Sequence, residues 1–208
     1  MHARRTDPSE VGIYTIAEVS RFVGANPETV RRWVHGRRFT QRDGSRGSSA
    51  PLIETPRNGL LCFYNLVEVY LIHVLRKGLE DELKLPMQRV RRCLENLRRF
   101  GRGRRHPLAQ QRLIQDQVRL HARRIEWNDA GVPVRYRVRS PWPEGGIGNV
   151  TCNPKVAFGR PSIEGVATAV IAERFFAGET VGDLAKDYRL DRARIEEAIL
   201  CERRDGAA

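Results

Sequence analysis

The chain has 208 residues, 40% of them apolar, and a formal net charge of +12. That apolar content supports one large or two small packed cores and excludes wholesale disorder. The charge asks for a polyanionic partner, nucleic acid before membrane. No apolar run approaches the ~18 residues of a transmembrane helix, and the N-terminus lacks the apolar stretch of a secretion signal.

The charge is uneven. Residues 1–105 carry 21 Lys or Arg against 11 Asp or Glu, residues 106–152 carry 7 against 4, and residues 153–208 carry 9 against 10. The two ends of the chain are therefore expected to meet different partners. Almost all the bases are Arg, whose fork suits phosphate and guanine. Cys62, Cys93, Cys152 and Cys201 lie more than 30 residues apart. That spacing suits neither a metal site nor a disulfide framework, so they read as reduced core residues of a cytoplasmic protein with no cofactor.

From the N-terminus, Thr15 and Glu18 have capping-box spacing, and Ile16, Val19, Phe22 and Val23 share a helical face. Gly24 follows where a helix end needs left-handed backbone. Asn26-Pro27 then starts a second helix, with Val30, Trp33 and Val34 inward and Thr29, Arg31, Arg32 and His35 outward. An apolar seam under an exposed basic face is the pattern of a DNA recognition helix. Residues 37–42 read as a strand and residues 43–49 as a turn, with Leu52–Thr55 and Leu60–Phe63 as further strand pieces. A hairpin there is a wing, with Arg37 and Arg38 at its root and Arg42 and Arg46 near its tip, placed to touch phosphate or minor groove.

Residues 65–77 read as a helix capped by Asn65, apolar almost all round and so buried or at a dimer contact. His73 within it reads as a core or interface histidine, and Glu80-Asp81-Glu82 as a solvated first turn. Another helix, Leu85–Phe100, carries a Val90, Leu94 and Leu97 stripe. It runs into a Gly- and Arg-rich tail, Arg98–Arg105, read as a contact to backbone phosphate. Short strands are expected at Leu113-Ile114, Val118–Ala122 and Val132–Val138, the last with one face apolar and the other Arg. Ser140–Gly146 reads as a domain boundary. Beyond it come a short strand around Val156 and a helix that carries Val170, Ile171, Phe175 and Phe176, ended by Gly178. A helix capped by Thr180 holds Leu184, Ala185 and Tyr188, and one capped by Asp191 holds Ile195, Ala198 and Ile199.

Residues 13–38 resemble the winged helix-turn-helix of MerR-type regulators. The likeness lies in the opening Tyr14-Thr15-Ile16-Ala17-Glu18-Val19 and the helix Pro27-Glu28-Thr29-Val30-Arg31-Arg32-Trp33. The long coiled-coil helix and Cys cluster of that family are absent from the sequence, so metal sensing does not carry over. The C-terminal segment resembles a small domain of VapB-type antitoxins, whose partners are PIN-fold ribonucleases. It does so at Asn153-Pro154, Gly159-Arg160-Pro161, Ile163, Gly165, Ala177-Gly178-Glu179 and Asp187-Tyr188, and departs at Val166-Ala167.

The expected fold is α+β, mainly helical with small β elements. Residues 1–105 form a winged helix-turn-helix, 106–146 a β-rich connector and 147–208 a three-helix domain. The resemblance implies an antitoxin that binds its own promoter as a homodimer and neutralises a PIN-domain toxin, with Phe158, Arg160 and Pro161 as toxin contacts. The alternative is a freestanding MerR-like regulator with a C-terminal dimerisation or ligand-sensing domain. An enzyme is disfavoured: His2, His35, His73, His106 and His121 are scattered, and no nucleophile elbow, phosphate-cradling loop or acid cluster occurs.

Overall fold

The computed structural model describes residues 7–40, 44–77, 123–130, 132–143 and 145–203. The expected elements between residues 78 and 122 lie outside them. So do the Arg98–Arg105 tail and Arg42. The chain forms two compact units: Glu10–Pro133, and Val134–Ala208 together with Met1–Ser9. The class is α+β.

In the first unit, α1 (Ile16–Val23) starts as its sequence requires. Thr15 Oγ1 accepts from Glu18 N–H at 3.2 Å, and Glu18 Oε2 accepts from Thr15 N–H at 2.7 Å. Gly24 ends the helix at φ 81°, a left-handed conformation that costs a side-chain-bearing residue more. Asn26 Oδ1 caps α2 (Pro27–His35) by accepting from Glu28 and Thr29 N–H. Val30, Trp33 and Val34 are buried, as are Val19, Phe22 and Val23 on the neighbouring α1, while Ile16 is only half-buried. Gly36, at φ 77°, turns the chain into the hairpin; a Cβ there would collide with the Ser49 carbonyl.

The hairpin pairs β1 (Arg37–Thr40) with β2 (Arg46–Ser49) in antiparallel register. The wing is thus tighter than its sequence suggests, because its second strand falls within the stretch read as a turn. Leu52–Thr55 is not a strand. The Leu52 and Ile53 N–H groups both donate to the Trp33 carbonyl, at 2.7 and 3.1 Å, so this segment closes the end of α2 and buries both side chains. Of Leu60–Phe63, Leu61 makes a single bridge to Tyr14 and Phe63 already belongs to the next helix. That helix, α3 (Phe63–Lys77), begins two residues before Asn65. Asn65 is therefore not its cap from outside. Its Oδ1 reaches back to accept from Cys62 N–H at 3.1 Å, and its Nδ2 donates to the Glu54 carbonyl at 2.9 Å. Leu66, Val69, Tyr70, Leu71, Ile72 and Leu75 are all buried, as the all-round apolar pattern requires, and His73 is half-buried. The short strand β3 (Ile125–Trp127) lies near the end of this unit.

In the second unit, β4 (Pro133–Arg139), β5 (Ile147–Cys152), β6 (Pro161–Ile163) and β7 (Val166–Ala167) are antiparallel neighbours in that order. Residues 140–146 connect β4 to β5, with Ser140 N–H donating to the Gly146 carbonyl at 3.2 Å. The contact division of the chain falls instead at Pro133–Val134. Pro and Gly mark a turn there as readily as a linker, and the sequence does not distinguish the two. Val156 is in a turn, not a strand, followed by a 3-10 turn at Ala157–Gly159.

Three helices pack on one another: α4 (Thr168–Phe176), α5 (Val181–Tyr188) and α6 (Arg192–Glu202). Thr180 and Asp191 cap α5 and α6 through Asp183 N–H and Arg194 N–H. Leu184, Ile195, Ala198 and Ile199 are buried as expected. In α4 the seam is Thr168, Ile171 and Ala172; Val170 and Phe176 are exposed, Phe176 by 64%. The helix is therefore apolar on two faces, of which the Thr168, Ile171 and Ala172 face is the buried one. The Glu197 side chain is buried and accepts from Asn149 N–H and Nδ2, each at 2.7 Å, which ties α6 to β5.

Candidate nucleic-acid interface

The basic face is built by the two capped helices. The capping box and Gly24 fix α1, Asn26 fixes the start of α2, and the Val30, Trp33 and Val34 seam sets its rotation. That rotation leaves Arg31, Arg32 and His35 exposed and Thr29 half-buried on the same helix. In the hairpin all of Arg37, Arg38 and Arg46 are exposed. Register sorts them by face: Arg38 opposes Ser48 and Arg46 opposes Thr40, which puts Arg38 and Arg46 on one side. Arg37 shares the other with Phe39, whose ring lies across Gly47 where any Cβ would clash. Arg42 lies outside the described residues.

The exposed arginines of α2 are not independent. Glu28 takes both: Arg31 Nη1 donates to Oε2 at 3.0 Å and Arg32 Nε to Oε1 at 3.2 Å. These bonds, Arg32 first and Arg31 second, hold the Glu28 carboxyl below its ordinary value. The sequence reading passed over Glu28, although a Glu three and four residues before two Arg is the standard helical ion-pair spacing.

A second support comes from Arg124. Its Nη1 donates to the Phe22 and Val23 carbonyls at 3.5 and 3.3 Å, at the C-terminal end of α1, and its guanidinium lies 5.5 Å from the centre of the Tyr70 ring. A cation at a helix C-terminus satisfies carbonyls that have no intrahelical partner. Burial pushes the Tyr70 phenol up, with the Arg124 charge opposing. No local pattern in the sequence announces a contact spanning a hundred residues.

The C-terminal candidates divide. Phe158 is 87% exposed and sits in left-handed backbone at φ 53°, after Ala157 at φ 47°. Arg160 is exposed beside it. Pro161 is buried and begins β6, with its carbonyl accepting from Thr168 Oγ1 at 3.1 Å. Pro161 therefore shapes this surface from beneath, and Phe158 and Arg160 are the two of the three that lie exposed. Arg174 was also missed. Its Nε donates to Glu179 Oε1 at 2.6 Å, its Nη2 to Asp187 Oδ2 at 2.6 Å, and it stacks 5.2 Å from the centre of the Tyr188 ring. Glu179 first, then Asp187 and Tyr188, raise its basicity. These three partners fall among the residues that carry the antitoxin resemblance, and here they form one clamp between α4 and α5. Among the described residues, no cluster of three or more His, Cys, Asp or Glu could hold a metal, and no helix is long and apolar enough to cross a membrane.

Residues 12–94 match a family model described as "Putative DNA-binding HTH domain". Residues 150–200 match DUF433, a protein family of unknown function. Over 231 aligned residues the chain is 24% identical to "Putative antitoxin VapB45" of Mycobacterium tuberculosis, covering 91% of this chain and 93% of that protein. It is 25% identical over 224 residues to "Uncharacterized protein Rv2308" of the same organism, covering 90% and 88%. The crystal structure of Rv2018 from M. tuberculosis shares the fold at a TM-score of 0.54 and 19% identity, over 91% of this chain and 98% of that one.

Proposed function

We propose that the chain is a DNA-binding antitoxin that represses its own toxin–antitoxin operon and neutralises a PIN-domain ribonuclease. The observation that carries the DNA half is the exposed Arg31, Arg32 and His35 face of α2, seated on a buried Val30, Trp33 and Val34 seam and followed directly by a basic hairpin. The module is MerR-like. Thr29, Arg31, Arg32 and His35 enter the major groove, and Arg37, Arg38, Arg42 and Arg46 meet backbone. The protein acts as a homodimer in the cytoplasm, by binding and not by catalysis. The first unit finds the promoter and the second holds the toxin.

The toxin half is supported by the distant relative named as an antitoxin and by the exposed Phe158 beside Arg160. An arginine carried next to an aromatic anchor fits an acidic nuclease site. Two experiments test the reading. Anisotropy with a duplex from the chain's own upstream region should give binding that falls steeply from about 50 to 200 mM salt. The Arg31→Ala, Arg32→Ala double variant should lose most of that affinity; unchanged affinity removes α2 as the reader. Co-expression with the adjacent open reading frame should recover a PIN-domain nuclease bound to this chain and restore growth. A chain that binds its promoter but no nuclease is a freestanding regulator instead.

A further inference from the structure

We propose that Glu28 is a specificity-determining residue: with its arginine partners it reads a C·G base pair in the major groove as a unit, Glu28 accepting from cytosine N4 and an arginine donating to guanine. The proposal rests on the DNA-binding reading above and deepens it by naming the base pair.

Glu28 is the second residue of α2, in the turn that a recognition helix presents to base edges. Its side chain is 52% exposed and accepts only. Each carboxylate oxygen is engaged by one arginine nitrogen, which leaves lone pairs on both oxygens for an outside donor. Arg31 binds through Nη1 and Arg32 through Nε, so each guanidinium keeps further N–H groups for an outside acceptor. The cluster therefore offers an acceptor beside donors in one fixed arrangement.

A phosphate matches that arrangement poorly, because Glu28 repels it. A C·G pair matches it well. In the major groove the cytosine N4 donor lies beside guanine O6 and N7, two acceptors that fit an arginine fork. An A·T pair also sets a donor beside an acceptor, but it gives the arginine a single thymine O4 next to a methyl group. The Glu28–arginine pairs need not break to make these contacts, so their order in the free protein is retained on DNA. The same carboxylate weakens attachment to random backbone, which raises discrimination a second way.

The test is binding-site selection with the full chain on a randomised duplex library. Wild type should enrich cytosine at one position per half-site, with other bases bound about 5- to 150-fold more weakly. Glu28→Gln should move that position to adenine, because an amide pairs with N6 and N7. Glu28→Ala should weaken the preference there to what the arginine supplies through guanine, and leave the remaining positions intact. An unaltered preference in Glu28→Gln overturns the proposal. So does uniformly tighter binding of every duplex by Glu28→Gln, which makes Glu28 a charge brake and no reader. A wild type that selects no sequence at all fails differently: it removes the DNA-binding reading, and this proposal with it.

Discussion

In the first unit Asn26 caps α2, Val30, Trp33 and Val34 dock it, and the opposite face carries Arg31, Arg32 and His35 into solvent. In the second unit Asp191 caps α6 after a turn of similar length. There Ile195, Glu197, Ala198, Ile199 and Cys201 are all buried, and Glu197 is bonded into β5. Both pairs are helix, turn and capped helix. What separates them is how much of the second helix the rest of the unit consumes. A recognition helix needs one seam and one free face. α6 is packed against two helices and a sheet together, and a buried carboxylate on it is the opposite of what a polyanion requires. Local motif therefore does not separate the two pairs; burial on the second helix does, and it leaves a free basic face on α2 alone of the two.

The largest expected effects test whether the two units carry separate functions. Trp33→Ala should cost about 3–5 kcal/mol in denaturant unfolding and abolish duplex binding, because it removes the seam that orients α2. Ile195→Ala should cost about 2–5 kcal/mol and leave duplex binding near wild type. If Ile195→Ala also abolishes binding, the units are not functionally separable. Next, Glu197→Ala leaves both Asn149 donors without their acceptor and should cost about 2–3 kcal/mol by the same measurement. Arg32→Ala, on the exposed face of α2, should leave stability close to wild type and still lower duplex affinity. A stability loss from Arg32→Ala matching that from Glu197→Ala would erase the contrast between the helices. Smaller again, Thr15→Ala and Asp191→Ala should each cost about 1 kcal/mol, since each removes a helix cap of the same kind.

Those caps were legible because capping is local: Thr15 with Glu18, Asn26 with Pro27, Thr180 with Asp183 and Asp191 each act within four residues. The Val30, Trp33 and Val34 seam was legible for the same reason, through helical period. The strand readings of Leu52–Thr55 and Leu60–Phe63 failed because an apolar run in extended backbone carries no record of its partner. Here the partner is the Trp33 carbonyl for one and Tyr14 for the other. Asn65 looked like a cap from outside because Asn is a good N-cap; its amide reaches one turn back instead. In α4, Val170 and Phe176 are as apolar as Ile171, so composition could not say which face the unit covers. At the candidate site the exposed arginines were legible, and Glu28 was passed over although its spacing to both was in view. A first-turn acid has an ordinary explanation in the helix dipole, and only the observed geometry shows it engaging both arginines.

Phe158 gives a small expected change in stability and a sharp distinction between folding and binding. A phenylalanine at φ 53° holds strained backbone, and at 87% exposure its ring gains little from burial in return. Such a residue costs stability in the free chain. Phe158→Asn keeps a side chain that tolerates the left-handed region. It should raise the stability of the second unit by up to about 1 kcal/mol in denaturant unfolding and leave duplex affinity unchanged. If the Phe158 ring is an anchor for a nuclease partner, the same variant should weaken that complex at least tenfold in titration calorimetry. A more stable protein that has lost its partner places the role of Phe158 in binding. A variant that is destabilised, or equally stable with partner affinity intact, makes Phe158 an ordinary surface residue. The proposed contrast between a DNA-reading first unit and a partner-holding second unit would then need another residue to support it.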